Sequence, residues 1–416
     1  MPLYRFGVPL MMCGLCVALP SRAHADDDDG GILGSPIETH AFVSQGFIKS
    51  TSNDYLADDS TRGSFEFTEV GINFSKRLTE RMRVGMQLFT HDLGPYGNYR
   101  TRFDWFYLDY RFWDWLGVRA GRTKLPFGLY NESSDIDAAR VPVLLPQSVY
   151  PVTNRDFLLA QTGGEAYGSI PLRSAGSLEY RLYGGTVFYD TADANSVLGN
   201  LKVPYIFGAR LMWQTPLEGL QLGASAQTLR LDTEATVPAE QVAQLQMAGL
   251  LPSDFKNPIK LQLPALLGVA SIEYSAHNLL LASEYSRWQV ALKSPVPLYS
   301  VPEQVSERFY LMAAYHVTSW FTPGVYYSVL FSDVDNRSGE KPPASVLPAS
   351  PLGRGAQQHD LALTLRYDLN QYWLLKLEGH YMHGTAGLSS ALNDNRPLSS
   401  LTNDWGVFLV KTTAYF

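Results

Sequence analysis

From His40 onward the chain is a train of segments about 9 to 14 residues long whose side chains alternate in character, and the breaks between them are by turns short and long. Short breaks fall near residues 76–80, 113–116, 171–176, 215–218, 276–278, 319–322 and 369–371. Long ones fall near 50–62, 92–98, 125–160, 190–203, 231–262, 292–305, 333–357 and 385–402. A soluble β-sandwich also alternates, but nothing obliges its short and long connections to interleave strictly. An antiparallel barrel crossing a membrane is so obliged, because all tight turns lie on one side and all long loops on the other. The intervening segments number about sixteen, an even count within the range of bacterial barrels. The expected fold is therefore all-β, a transmembrane antiparallel β-barrel of about sixteen strands over residues 39–416 with both termini at the short-turn, periplasmic end.

The alternation is plainest near the C-terminus. Leu361, Leu363, Leu365, Tyr367 and Leu369 share one face, with Asp360, Ala362, Thr364, Arg366 and Asp368 on the other. After Asn370 and Gln371, the face carrying Trp373, Leu375, Leu377, Gly379 and Tyr381 opposes one carrying Leu374, Lys376, Glu378 and His380. The stretches 63–74 and 103–112 change phase midway, which predicts bulges. Aromatic residues gather where strands meet turns, as at Trp113, Trp115, Trp320, Phe321, Tyr372 and Trp373, the placement that membrane-interface girdles require. Phe416 ends the chain and closes the face Phe408, Val410, Thr412, Ala414, Phe416, which resembles the terminal signature read by the outer-membrane assembly machinery.

Residues 1–25 read as a secretory signal peptide, with Arg5, an apolar run from Phe6 to Leu19, and a small-x-small cleavage site at Ala23-His24-Ala25. Residues 26–38 open on Asp26-Asp27-Asp28-Asp29-Gly30-Gly31 and read as a flexible acidic spacer. Both cysteines fall in the signal peptide, so after cleavage no disulfide or thiolate chemistry is available. Cleavage also removes Arg5 and Arg22 and leaves 31 basic against 40 acidic residues, a balance that argues against a nucleic-acid partner. No later segment is apolar for the roughly 20 residues of a membrane helix, so a membrane crossing requires strands. The expected location is the bacterial outer membrane, with lipid and lipopolysaccharide as surroundings.

A barrel this wide is not filled by its own side chains and encloses water unless something blocks it. Residues 125–161 form by far the longest loop of the first half, with a sharp exit at Leu125-Pro126-Phe127-Gly128 and enough apolar residues (Val141, Val143, Leu144, Leu145) to pack. Folded inward it places Glu132, Asp135 and Asp137, with Arg140, Arg155 and Asp156, opposite wall residues whose phase points them into the lumen. Those wall residues are Arg83, Arg119, Lys124, Arg181, Arg210, Arg308, Arg366, Lys376 and Glu378. An acidic loop facing a basic wall sets a transverse field across a constriction, which sorts small polar solutes. The lumen as a whole is mixed, since Glu179, Glu273 and Glu284 also point inward and Lys411 joins the cations.

The run Gly121-Arg122-Thr123-Lys124-Leu125-Pro126-Phe127-Gly128 resembles a segment of porins in the phosphate-selective porin O and P group, and the layout of the whole chain is similar to theirs. The segment Leu145-Pro146-Gln147-Ser148-Val149-Tyr150, with Arg155-Asp156 and Gly163-Gly164, resembles parts of uncharacterised Gram-negative porin-like proteins. The resemblance implies a homotrimeric outer-membrane channel for small polar or charged solutes, passive and without cofactor. It does not carry phosphate selectivity across, because that depends on a lumenal lysine cluster and arginine ladder. Two other readings compete. A barrel hydrolase needs a nucleophile beside a histidine, and the candidates are His316, His380 and His383, of which the last two point to opposite faces of one strand. No Gly-x-Ser-x-Gly or His-Glu-x-x-His motif occurs. A non-conducting barrel serving adhesion or assembly needs a plugged lumen, to which residues 237–263, with a helix expected over 239–250, are long enough to contribute.

Overall fold

The computed structural model describes residues 36–95, 97–152, 158–188, 198–340, 355–393 and 400–416. The signal peptide, most of the acidic spacer, Arg155 and Asp156 lie outside the described residues. Sixteen strands close into one antiparallel barrel. In chain order they are β1 (Glu38–Ser50), β2 (Thr68–Arg77), β3 (Met82–Asp92), β4 (Arg102–Trp113), β5 (Leu116–Lys124), β6 (Ala160–Pro171), β7 (Ser177–Val187) and β8 (Leu198–Gln214). There follow β9 (Leu220–Ala235), β10 (Ile259–Ala276), β11 (Leu279–Leu292), β12 (Val301–Tyr315), β13 (Phe321–Phe331), β14 (Gln357–Asn370), β15 (Trp373–Gly384) and β16 (Asp404–Tyr415). Each strand pairs with its sequence neighbours, and β1 closes the ring on β16 from Phe42 opposite Tyr415 to Ser50 opposite Val407. No edge is left, so every ladder finds a partner, the condition for spanning an apolar medium with strands. No helix among the described residues is long and apolar enough to cross a membrane.

The period of two sorts the side chains into an outer and an inner set. Met86, Leu108, Leu182, Leu211, Leu266, Ile272, Leu281, Leu311, Val325, Leu363 and Phe408 stand exposed on the outside, as a lipid-facing surface requires. Trp113 and Trp115 stack outside at the short-turn end, their rings 5.3 Å apart, and Trp320, Phe321 and Tyr367 form a second group there. In β4 the register against β3 slips between Gln87 and Leu88, so that Asp104 is buried inside while Phe103, Phe106 and Leu108 all point out. This bulge is the phase change expected over 103–112. The one expected over 63–74 has another cause: the strand starts only at Thr68, and residues before it meet β1 at scattered points, Phe67 O with Gly46 N, Ser64 with Ile48, and Ser60 O with Ser50 N.

The barrel is taller on one side. β8, β9 and β10 have 17, 16 and 18 residues against 9 in β5, and at roughly 3.3 Å per residue the long-loop end stands well above the rest there. These extensions correct the breaks expected at 231–262 and 292–305, because β9 runs to Ala235, β10 starts at Ile259 and β12 starts at Val301. The sequence pattern fades there because the inner face is apolar as well: Leu229, Leu261, Ala265, Leu267 and Val269 are buried inside. The rim is capped by helix α1 (Ala239–Met247), shorter than the expected 239–250, over a cluster of Ala235, Val237, Leu251, Ile259, Leu261 and Tyr299.

Candidate functional site: the lumen and its infolded loop

The loop between β5 and β6 covers residues 125–159; Ala160 and Gln161, expected in the loop, already belong to β6. The chain leaves β5 at Leu125-Pro126-Phe127-Gly128, where Gly128 takes a φ of 65° and turns the backbone into the barrel. Three apolar clusters then hold the loop against the wall. Leu125, Phe127 and Leu158 pack on Tyr183, Ile206, Leu229, Leu267 and Trp288 of β7 to β11. Leu129, Tyr130, Leu145, Val149 and Tyr150 pack on Met212, Tyr310, Met312, Tyr326 and Ala362. Val143 and Leu144 pack on Ile48, Met382, Trp405, Val407 and Leu409. The loop therefore crosses the lumen and touches the wall on opposite sides.

Polar contacts fix the backbone between these clusters. The Glu284 carboxylate on β11 accepts from Leu129 N at 2.8 Å, from the Tyr310 hydroxyl at 2.9 Å, from Ser271 at 2.6 Å and from Tyr150. Tyr130 donates to Glu273 at 2.6 Å. Burial, reinforced by these carboxylates, pushes the phenols of Tyr130 and Tyr150 well above their ordinary value, so both remain donors. Glu378 accepts from Val143 N at 2.7 Å and Leu144 N at 2.9 Å. Arg308, which stacks over Trp288 at 3.2 Å, donates to Ser148 O at 3.3 Å, and Ser328 meets the Ser148 hydroxyl at 2.7 Å. Arg366 donates to the carbonyls of Ala138 and Arg140 at 2.8 and 2.9 Å. Backbone groups that water serves in an ordinary surface loop are here served by the wall.

The loop carboxylates touch the wall cations directly. Glu132 lies 2.9 Å from Arg181 and 3.0 Å from Arg210. Burial alone would raise its carboxyl, but the two guanidinium groups hold it down at about 2. Asp135 pairs with Lys124 and accepts from Gln87 at 2.8 Å. Asp137 accepts from Lys376 at 3.0 Å and from Thr413 at 2.7 Å, with Lys411 at 3.5 Å and Arg140 at 3.6 Å. Against the effect of burial, these cations keep its carboxyl well below the usual carboxylate range.

Of the wall residues read from the sequence, Lys124, Arg181, Arg210, Arg308, Arg366, Lys376 and Glu378 all contact the loop. Since neighbouring strands claim them first, Arg83 and Arg119 form no ion pair with the described loop acids, although Arg119 still adds to the field that holds Glu132 down. Arg83 pairs with Glu38 at 3.0 Å, and Arg119 pairs with Asp109 at 2.6 Å beneath the Tyr167 ring. The sequence pattern points Glu284 and Glu273 into the lumen but carries no sign that they hold the loop or that the tyrosine hydroxyls of the loop take part. Their signal is faint: an inward carboxylate in β10 and β11 flanked by small or apolar neighbours. His380 points inward, 2.9 Å from Asp360 and 3.1 Å from Glu378, whereas His383 points outward and meets Asp404 at 2.8 Å. Among the described residues no cluster suits a metal ion.

On the side of β2 and β3, where Asp135 is bonded to Gln87, the loop and the wall enclose a cavity of about 60 Å³ between them. Phe67, Glu69, Phe89, His91 and Leu93 form its wall side; Asp135, Arg140, Leu144, Leu145, Gln147 and Tyr150 are among its loop-side residues.

No protein-family model and no curated protein sequence matches the chain. Solved structures do match in shape. OmpT, an outer membrane protein of Vibrio cholerae, aligns with a TM-score of 0.55 at 11% identity over 93% of this chain and 100% of its own; it is also known in a trimer form. The anion-selective porin of Comamonas acidovorans aligns at 0.54 and 11% identity, over 92% and 99% of the two chains. OmpF of Salmonella typhi, in complex with daunomycin, aligns at 0.53 and 12% identity, over 91% and 97%. The chain thus shares the fold of sixteen-stranded bacterial outer-membrane barrels, porins among them.

Proposed function

We propose that this chain is an outer-membrane porin, a passive channel for small polar or charged solutes whose bore is set by the infolded loop of residues 125–159. The observation that carries this reading is the asymmetry of the loop: polar and apolar contacts hold it to the wall from β7 round to β16, whereas towards β2 and β3, beside the Asp135–Gln87 hydrogen bond and the packing of Leu144 near Phe67 and Leu93, it leaves a cavity. Solutes then cross along the β2–β3 side, where both apolar and charged groups line the way. The reading includes export by a signal peptide cleaved after Ala25, insertion guided by Phe416, long loops outside the cell, and a homotrimer, a state in which the Vibrio OmpT fold is also found. The run Gly121 to Gly128 is what supports placing it near the porin O and P group, with no phosphate preference implied.

A second reading draws on the packing itself. Val143, Val149, Lys376 and Lys411 are completely buried in what a wide channel would leave wet, which favours a barrel closed at rest by its own loop. Single-channel recording of detergent-purified protein in a planar bilayer, under a salt gradient, separates the two. Discrete conductance steps support the porin; silence from protein that is folded by gel mobility supports the closed barrel and removes diffusion as its function. Hydrolysis of lipid or peptide substrates by the same preparation would replace both with an enzyme.

A further inference from the structure

The charges around Asp137 do not balance. Lys376, Lys411 and Arg140 all lie within 3.6 Å of its carboxylate, and the second carboxylate in reach, Glu69, pairs with Lys411 at 2.6 Å. Among the described residues three cations therefore share two anions, while Arg366 next to them is matched by Asp368 at 2.7 Å. The surplus falls on Arg140, which is the most distant of the three from Asp137. Its side chain is only 8% exposed, its Nε has no hydrogen-bond partner among the described residues, and it lines the cavity between the loop and β2–β3. A buried guanidinium with an unused donor is costly unless an acceptor reaches it.

The remainder of the cavity suits a hydrocarbon. Phe67, Phe89 and Leu93 on one side face Leu144, Leu145, Val152, Leu158 and Leu159 on the other, and Phe89 is held in place by stacking on His91 at 5.4 Å. Its other carboxylates are already paired, Glu69 with Lys411 and Asp135 with Lys124, so they do not compete for Arg140. Size narrows the occupant further. A water needs roughly 10–15 Å³ of such space, so a cavity of about 60 Å³ takes about five non-hydrogen atoms.

We propose that this cavity is a binding station for short-chain carboxylates, with the carboxylate on Arg140 and a chain of about two or three further carbons between Phe89 and Leu144. The inference rests on the channel reading and gives it a solute class. Arg140 supplies a planar donor pair to a planar acceptor, and the apolar walls discriminate against anions with nothing to bury.

The test uses butyrate, acetate and 1-butanol as probes in ligand-observed NMR titrations of the detergent-folded protein, with bilayer conductance recorded separately. Butyrate carries two more methylenes than acetate and is expected to bind about tenfold more tightly. Arg140→Gln should weaken butyrate about tenfold or more and leave 1-butanol unchanged, Arg140→Lys should restore part of the loss, and Phe89→Ala should erase the preference over acetate. Butyrate binding no tighter than acetate, or undiminished in R140Q, overturns the proposal. Conductance without these preferences removes the binding station alone. Binding with these preferences but no conductance removes the channel reading and leaves the site standing.

Discussion

Asp137 on the infolded loop and Lys376 on β15 meet at 3.0 Å with both side chains wholly buried, so the loop is joined to the far wall by an ion pair that water does not reach. Removing one partner of such a pair costs about 3–5 kcal/mol, because the other stays behind as an uncompensated charge. Asp137→Ala is accordingly expected to release the middle of the loop while the barrel, held by its ladders, stays closed. Limited proteolysis should gain a cut within residues 130–150, and a conducting channel should become noisier and wider. A proteolytic pattern identical to that of the parent would show that the apolar clusters hold the loop unaided.

The second anchor, Glu132, is titratable in a defined window. Its carboxyl is lowered in the folded protein from 4.5 to about 2, so its pairing with Arg181 and Arg210 contributes stability that is fully present above pH 4.5 and is lost as the pH falls through about 2. Loop protection from protease should therefore decline on acidification across that window. Glu132→Gln should remove the dependence there, and a parent whose loop is equally protected at pH 5 and pH 2 would contradict the assignment.

Much of this was legible beforehand because the two determinants are local. Alternation in segments such as Leu361 to Leu369 and Trp373 to Tyr381 fixes which face each side chain takes, and turn spacing fixes the order of strands, so Arg181, Arg210, Arg366 and Lys376 could be assigned to the lumen from phase alone. What phase cannot supply is height along the barrel. Arg83 and Arg119 have the correct face, but Glu38 and Asp109 on adjacent strands reach them before the loop does. Expectation also erred where both faces are apolar. Around Leu261 to Val269 the outer residues face lipid and the inner ones face the loop base at Leu125 and Phe127, so no alternation remains to mark the strand.

The turn at Gly128 offers a test that touches no charge. Its φ of 65° is unfavourable for any residue with a Cβ by roughly 1–2 kcal/mol, and the added atom would press on the Tyr150 hydroxyl and the Glu284 carboxylate. Those are the groups that receive Leu129 and Tyr130 as the loop enters the lumen. Gly128→Ala is expected to loosen the loop without unfolding the barrel, seen as faster amide exchange at Leu129 and Tyr130. Exchange at the parent rate would place the hinge elsewhere.

The loop acids and the wall cations are in contact, and this decides what their removal does to ion preference. Replacing Glu132, Asp135 and Asp137 together by Gln, Asn and Asn keeps side-chain size but leaves Arg181, Arg210, Lys124, Lys376 and Arg140 without their loop partners. Several positive charges then border a low-dielectric passage in which fields are poorly screened, and anions should be concentrated there over cations. The reversal potential under a salt gradient should move towards the anion value relative to the parent. Because Arg83 and Arg119 keep partners outside the loop, Arg83→Gln should leave that potential nearly unchanged. An equal shift in both variants would mean that ions respond to the net charge of the barrel and not to the loop that crosses it.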